Sequence, residues 1–376
     1  MPKIKICHIT NIHILFDTRI FYKECSSLSK GGYDISLIVQ HDKDEIIDGV
    51  KIIALPKAKN RKERILKLRK LAFQKAIELN ADIYHFHDPE LIPIGLKLKE
   101  LGKKVIYDVH EDVPRQILSK PYINKFIRPI ISRIFEFYEN SAAKKFDAII
   151  AATPHIRDRF KKINNNTVDI NNYPKLDELY EKKDWSLRKN EICYIGGITK
   201  IRGIIELIKA LEYTDTILHL AGNFESEELE SEVKSLPGWH KVKYYGFVGR
   251  DKVKDILNTV KIGMVTLHPT SNYIDSQPIK LFEYMSAGIP VICSNFLLWR
   301  EIVEKNNCGI CVAPLNPKEI SNAINYLFNN DNTARIIGEN GRKLVLEKYN
   351  WEKESEKILN IYGAIVPFCL KGEKII

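Results

Sequence analysis

Asp275-Ser-Gln-Pro-Ile-Lys-Leu-Phe-Glu-Tyr-Met-Ser-Ala-Gly-Ile-Pro-Val-Ile-Cys-Ser-Asn295 reads as a short helix feeding a buried strand. Pro278 suits the first helical position, because its missing N–H would be unsatisfied there and its ring pre-sets φ. Leu281, Phe282, Tyr284 and Met285 give one apolar side, Gly288 is placed to stop the helix as a C′ glycine, and residues 290–293 continue as a strand. The helix start offers backbone N–H groups around Ile279 and Lys280, the positive end of the dipole and a lysine. Together these make an anion site suited to a diphosphate. Glu283 lies one turn further in. A carboxylate there is wasted on a phosphate but suits a pair of ribose hydroxyls, and Asp275 places a second carboxylate in the preceding loop.

An acidic residue, seven intervening positions, then Glu in a helix ending Ala-x-Gly-x-Pro-Val resembles the donor-site motif of retaining nucleotide-sugar glycosyltransferases of the GT-B fold, glycosyltransferase family 4. The resemblance implies that Glu283 binds the ribose and Asp275 contacts the donor sugar. This chain has Asp275 where the family's first Glu is usual and Pro278 where a glycine is usual. It also implies two Rossmann-like doubly wound domains facing a central cleft, with a C-terminal helix crossing back to the first.

Outward from that stretch the rhythm of strand and helix supports the same class. Upstream, residues 191–196, 216–221, 242–245 and 262–267 read as strands separated by helices at 202–211, 226–236 and 250–260. Residues 309–312 form a last strand after a helix at 295–304. Tyr194-Ile-Gly-Gly-Ile-Thr-Lys-Ile-Arg-Gly203 is a second phosphate candidate: Gly196 and Gly197 let a ligand approach the backbone, and Lys200 and Arg202 bring cations to the next helix start. The family commonly has arginine where Gly197 stands and lysine where Arg202 stands. Phe247 and Val248, in the loop after the 242–245 strand, correspond to the family's nucleobase contact.

The first half repeats the order: strand 3–10, helix 19–30, strand 34–40, strand 82–87, helix 89–101, strand 104–109, a long helix 123–145 and strand 147–151, then 168–174. Parallel sheets with crossover helices require this alternation, and ligands then sit at the carboxyl ends of the strands. Those ends carry His13, Asp17 and Arg19, then His87, then His110 and Glu111. A dinucleotide fold would show Gly-x-Gly-x-x-Gly after its first strand; Thr10-Asn-Ile-His stands there instead. By the resemblance His110, in Tyr107-Asp-Val-His-Glu111, reaches the donor sugar, while His13, Asp17, Arg19, His87 and Glu111 face the acceptor. The expected domains are 1–178, 179–350, and a returning helix and tail at 351–376 anchored by Trp351.

The formal charge of +10 over 376 residues suggests an anionic partner. Basic segments at 57–75, with its stripe Ile65, Leu68, Ala72 and Leu79, and at 120–145, with Phe126, Ile130, Ile131 and Ile134, would suit contact with an anionic membrane. No zinc-finger spacing or RNA-binding aromatic run supports nucleic acid. Seven cysteines scattered through apolar contexts read as buried thiols of a reducing cytoplasm, and Cys308-Gly-Ile-Cys311 has no partner pair for a metal. No apolar run approaches the ~20 residues a membrane span needs. The expected activity is therefore a cytoplasmic, metal-independent transfer of sugar from a UDP- or GDP-sugar to a glycan or lipid-linked acceptor, in surface polysaccharide synthesis, with peripheral membrane contact. A same-fold sugar-nucleotide epimerase and a non-catalytic nucleotide-binding subunit are the competing readings.

Overall fold

In the computed structural model residues 3–366 are described, apart from 121, 177, 182, 183 and 272. The chain divides into two compact units, Met1–Asn172 with Lys353–Ile376, and Tyr173–Glu352. The first unit holds strands β1 (Lys5–Ile14), β2 (Asp34–Gln40), β3 (Glu45–Ile47), β4 (Val50–Leu55), β5 (Ile83–Phe86), β6 (Lys104–Val109), β7 (Ala148–Ala151) and β8 (Thr167–Asp169). They lie in the order β3-β4-β2-β1-β5-β6-β7-β8. All neighbours are parallel except the β3–β4 pair. Helices cover both faces, so β5, β6 and β7 are buried along almost their whole length. The strand order reverses between β1 and β5, which opens a crevice at their carboxyl ends.

The second unit holds β9 (Lys189–Ile195), β10 (Leu218–Ala221), β11 (Val242–Tyr244), β12 (Val260–Val265), β13 (Val291–Ser294) and β14 (Gly309–Val312). Its order is β11-β10-β9-β12-β13-β14, parallel throughout, with the reversal between β9 and β12. The helix Ile279–Ser286 follows β12 and buries all but its first residue. Its end matches the glycine stop: Gly288 sits at φ 73°, the Gly288 N–H donates to Met285 O and that of Ile289 to Tyr284 O. Pro278 stands one place earlier than its preference for the first turn implies, as the flanking residue with ψ 129°, because Ile279 opens the helix.

Several other expectations shift. β1 runs four residues past Thr10, its register with β2 slipping between Ile9 and Ile14, so His13 is on a strand end rather than in a loop. The helix expected at 123–145 is shorter, Arg128–Ala143, behind a turn in which Asn124 Oδ1 accepts from Phe126 N, and a separate helix, Val113–Ser119, precedes it. The strand expected at 168–174 stops at Asp169, and β3 and β4 were not anticipated. The basic segment is helical from 61 to 79, and its Leu68, Ala72 and Ala76 are buried while Arg64 forks onto Glu90 at 2.8 and 3.0 Å. That stripe faces the core, and is not free for a membrane. The second segment differs: Phe126, Ile130, Ile134 and Phe137 are 58–78% exposed. The helix Trp351–Ile365 begins with the second unit, where Trp351 N donates to Pro174 O, and continues with the first, where Tyr362 is buried against His8 and His85.

Candidate functional site

In the second unit the crevice between β9 and β12 gathers cations. β9 ends at Ile195, and the two glycines that follow leave room for side chains from elsewhere. A Cβ on Gly196 would come within 3.1 Å of Lys280 Nζ, and one on Gly197 within 2.9 Å of Arg202 Nη1. Arg202 donates to Gly197 O (3.1 Å) and to the Tyr273 hydroxyl (3.3 Å). Gly203 follows at φ 76°, where an added Cβ would collide with Thr266 O, and this turn aims Arg202 inward. Lys280 is buried over the ring of Tyr194, 3.9 Å from its centroid, and its ammonium has no hydrogen-bond partner among the described residues. Burial, with repulsion from Arg202, pulls the Lys280 pKa down to about 7 against the pull of Glu283. No side chain caps the first turn of Ile279–Ser286. Two cations and an uncapped helix start thus converge on one spot, the arrangement an anionic ligand completes.

Glu283 is buried, and one of its oxygens accepts from Arg250 Nη1 at 2.7 Å; Arg250 also pairs with Glu178. Arg250 gave no sign in the sequence beyond opening a helix. Asp275 is exposed in a loop held by Trp299 Nε1 on Ser276 O and by Tyr173 on Gln277. Phe247 is 80% exposed and Val248 packs partly on the core. Cys308 donates to backbone carbonyls while Cys311 faces Cys293 at 3.5 Å, so the Cys-x-x-Cys pair does not converge on a single point.

In the first unit the crevice between β1 and β5 is packed with ionisable groups. His87, His110 and Arg19 meet at Asp108: His110 Nε2 is 2.9 Å and His87 Nδ1 3.1 Å from Oδ2, and Arg19 donates to both oxygens at 3.0 and 2.8 Å. Arg19 also pairs with Glu24 at 3.0 Å. Burial raises the Asp108 carboxyl, but Arg19 and His110 outweigh it and hold it well below the usual range. Burial brings His87 down to about 4. His13 sits beside His110, ring centroids 4.8 Å apart, with Asp17 at 3.2 Å and Asp88 at 3.6 Å. Burial lowers the His13 pKa, yet those carboxylates more than offset it and the net shift is upward.

The structure therefore brings His13, Asp17, His87 and His110 together, and corrects the role of others. Arg19 is 4% exposed and fully engaged, so it is a strut and not an acceptor contact. His87 is buried behind His110. Asp17 also caps the helical stretch that starts at Ile20, accepting from the N–H groups of Arg19 and Ile20. Glu111 is exposed and accepts from Gln116 Nε2. Sequence reasoning missed Asp108, although it stood inside the quoted Tyr107–Glu111 motif, and it missed His8, inside β1, and Glu24, in the helical stretch that follows.

Comparison with known proteins settles the class. The family described as Glycosyltransferase Family 4 matches residues 18–170, and that described as Glycosyl transferases group 1 matches residues 177–344. The chain belongs to glycosyltransferase family 4. Among its relatives, this family 4 glycosyltransferase is 29% identical to an uncharacterized glycosyltransferase of Methanocaldococcus jannaschii over 46% of its own chain and 44% of that protein. It is 23% identical to the O-antigen chain mannosyltransferase C of Escherichia coli over 80% of each. In structure it resembles the sucrose-phosphate synthase of Thermosynechococcus elongatus, with a TM-score of 0.77 and 17% identity over 96% of this chain and 99% of that one. It also resembles Anabaena HepE in complex with UDP and glucose, with a TM-score of 0.70 and 15% identity over 96% and 100%. These likenesses carry the GT-B fold. Among the described residues no helix is long and apolar enough to cross a membrane.

Proposed function

We propose that this glycosyltransferase moves a sugar from a nucleoside diphosphate sugar to a glycan or lipid-linked acceptor hydroxyl, with retention and without a resident metal, in the assembly of a surface polysaccharide. The observation that carries the donor class is the unpartnered Lys280 ammonium beside Arg202 at the uncapped start of Ile279–Ser286. As the sugar–phosphate bond breaks, negative charge grows on the departing diphosphate, and cations already fixed there stabilise it without reorganising. Glu283 takes the ribose, and Asp275 and His110 the sugar, as the motif assigns them. The mannosyltransferase and HepE relatives, one named for an O-antigen chain and the other bound to UDP, support the pathway class and the donor class. Exposed Phe126, Ile130, Ile134 and Phe137, next to Lys125 and Arg133, favour peripheral contact with an anionic membrane that carries the acceptor.

A thermal-shift panel of UDP, GDP, ADP and their sugar conjugates tests the donor site, since a ligand that binds only the folded chain raises its Tm by mass action. One nucleotide series is expected to stabilise the protein, and Glu283→Ala to abolish that stabilisation. A flat panel at millimolar ligand overturns the donor reading. Stabilisation and turnover of the donor without any acceptor would favour the epimerase.

A further inference from the structure

We propose that Tyr362 heads a directed hydrogen-bond chain through His8 and His87 to Asp108, and that this chain fixes which nitrogen His110 offers to its ligand. Five contacts form it. His85 Nδ1 lies 2.6 Å from the Tyr362 hydroxyl, which lies 3.2 Å from His8 Nε2. His8 Nδ1 lies 3.0 Å from His87 Nε2, and His87 Nδ1 and His110 Nε2 lie 3.1 and 2.9 Å from Asp108 Oδ2. Tyr362, His8, His85, His87 and Asp108 are all at most 1% exposed, so the set is shielded from bulk solvent.

The heavy atoms and the cost of an orphaned donor favour one assignment of protons. Asp108, locked by the Arg19 guanidinium, is a carboxylate and can only accept. His87 must then donate from Nδ1, and being neutral it presents a lone pair at Nε2. His8 donates to that lone pair from Nδ1 and accepts at Nε2. The single Tyr362 hydroxyl hydrogen goes to His8, and the Tyr362 oxygen accepts from His85 Nδ1. His85 Nε2 is left as a bare lone pair, and it is the one ring nitrogen of His8, His85 and His87 without a partner, 3.9 Å from Asp108 Oδ2. Running the chain backwards would face a His87 lone pair against the carboxylate and strand a buried His85 N–H, and an orphaned donor is the costlier end. Both ends of the chain therefore choose the same direction. His110, donating Nε2–H to Asp108, offers Nδ1 as an acceptor. Tyr362, His8 and His87 are positioning residues: together with Arg19 they hold Asp108, and Asp108 sets His110.

The inference rests on the reading of His110 as a donor-sugar contact, but its first test needs no substrate. Long-range 1H–15N spectra of the full chain at pH 7 are expected to show His8, His85 and His87 protonated on Nδ1 and His110 on Nε2. His8 on Nε2 overturns the chain. For activity, the probe is UDP-glucose or GDP-mannose, whichever nucleotide the panel selects, with release of the diphosphate as readout. Tyr362→Phe is expected to lower kcat about five- to tenfold with donor KM unchanged, the loss of roughly one hydrogen bond's worth of positioning. It should also move the His110 ring signals and leave those of exposed His240 in place. Because a core substitution can unfold the unit, the paired variants His8→Asn and His8→Leu provide a second arm. Asn keeps an N–H directed at His87 and should retain kcat within about twofold, whereas Leu, with no donor, should lose it. Equal kcat in the two, or wild-type kcat in Tyr362→Phe, overturns the proposal. If His110→Ala keeps full activity, the reading of His110 fails instead.

Discussion

At the carboxyl ends of β1 and β5 every cation faces a carboxylate and the histidines interlock, while at the ends of β9 and β12 Lys280 sits unpartnered next to Arg202. The topology is shared: both parallel sheets reverse direction once and open a crevice there. What differs is whether charge is balanced within the chain. A network of side chains bonded to one another holds geometry, since each member is fixed by the next. An unsatisfied one holds free energy in reserve for a ligand that supplies the missing charge. In the proposed reaction the first crevice would orient a reacting group and the second would capture an anion.

The strongest way to break this contrast is to unbalance the first crevice. Asp108→Asn leaves Arg19 buried with Glu24 alone, and chemical denaturation is expected to show a loss of about 3–5 kcal/mol, the cost of breaking a buried ion pair. A loss under about 1 kcal/mol would mean the network is not the strut described. The second crevice should respond in the opposite way. Lys280→Met removes a buried ammonium that has no hydrogen-bond partner among the described residues, so at pH 6 the free protein should be as stable or more stable, while affinity for the selected nucleoside diphosphate falls about 10- to 100-fold. A destabilised variant that still binds would reverse the roles of the two crevices.

The finest discrimination comes from protons. Lys280 releases its proton near pH 7 in the folded chain and near 10.5 in an unfolded one. Between those values the unfolded state binds more protons, so the cost of burying the charge is fully present below pH 7 and is relieved as pH rises above it. A bound diphosphate restores the charge. At pH 8 binding should therefore take up about 0.9 proton, with affinity falling as pH rises. Calorimetry in buffers of different ionisation heat measures the uptake, and Lys280→Met isolates it from the titration of the phosphate. Equal uptake in both proteins would show that Lys280 does not change protonation when the ligand binds.

The second crevice was the more legible in the sequence. Phosphate recognition depends on local features, a helix start, two glycines and a nearby cation, and Gly196, Gly197, Arg202 and Lys280 all lie within short quotable stretches. The first crevice was legible only at its rim. His13, Asp17, His87 and His110 follow strands and were found for that reason, but Arg19 was given an open position although it is buried. Its partners Asp108 and Glu24 lie 89 and five residues away, and no spacing rule joins them. His8 and His85 sit mid-strand, where alternation marks them as packing. Their meaning comes from Tyr362, 354 residues from His8, which only the folded chain brings alongside. Segment 57–75 failed as a membrane face for a related reason: its stripe looks the same whether it covers lipid or a sheet.

The point where the chain enters and leaves the second unit has a consequence for how such enzymes diversify. Trp351 N bonds Pro174 O at 2.9 Å and Leu176 N bonds Glu352, so the two ends of Tyr173–Glu352 are stitched to each other. A segment whose ends meet is an insert: closing it costs the host little chain entropy, and its removal leaves two adjacent stumps. The unit proposed to bind the donor is in that sense a cassette, exchangeable at a single pair of splice points. The helix that carries Tyr362 starts at one of those points, so every exchange would be judged by whether it returns that tyrosine to His8.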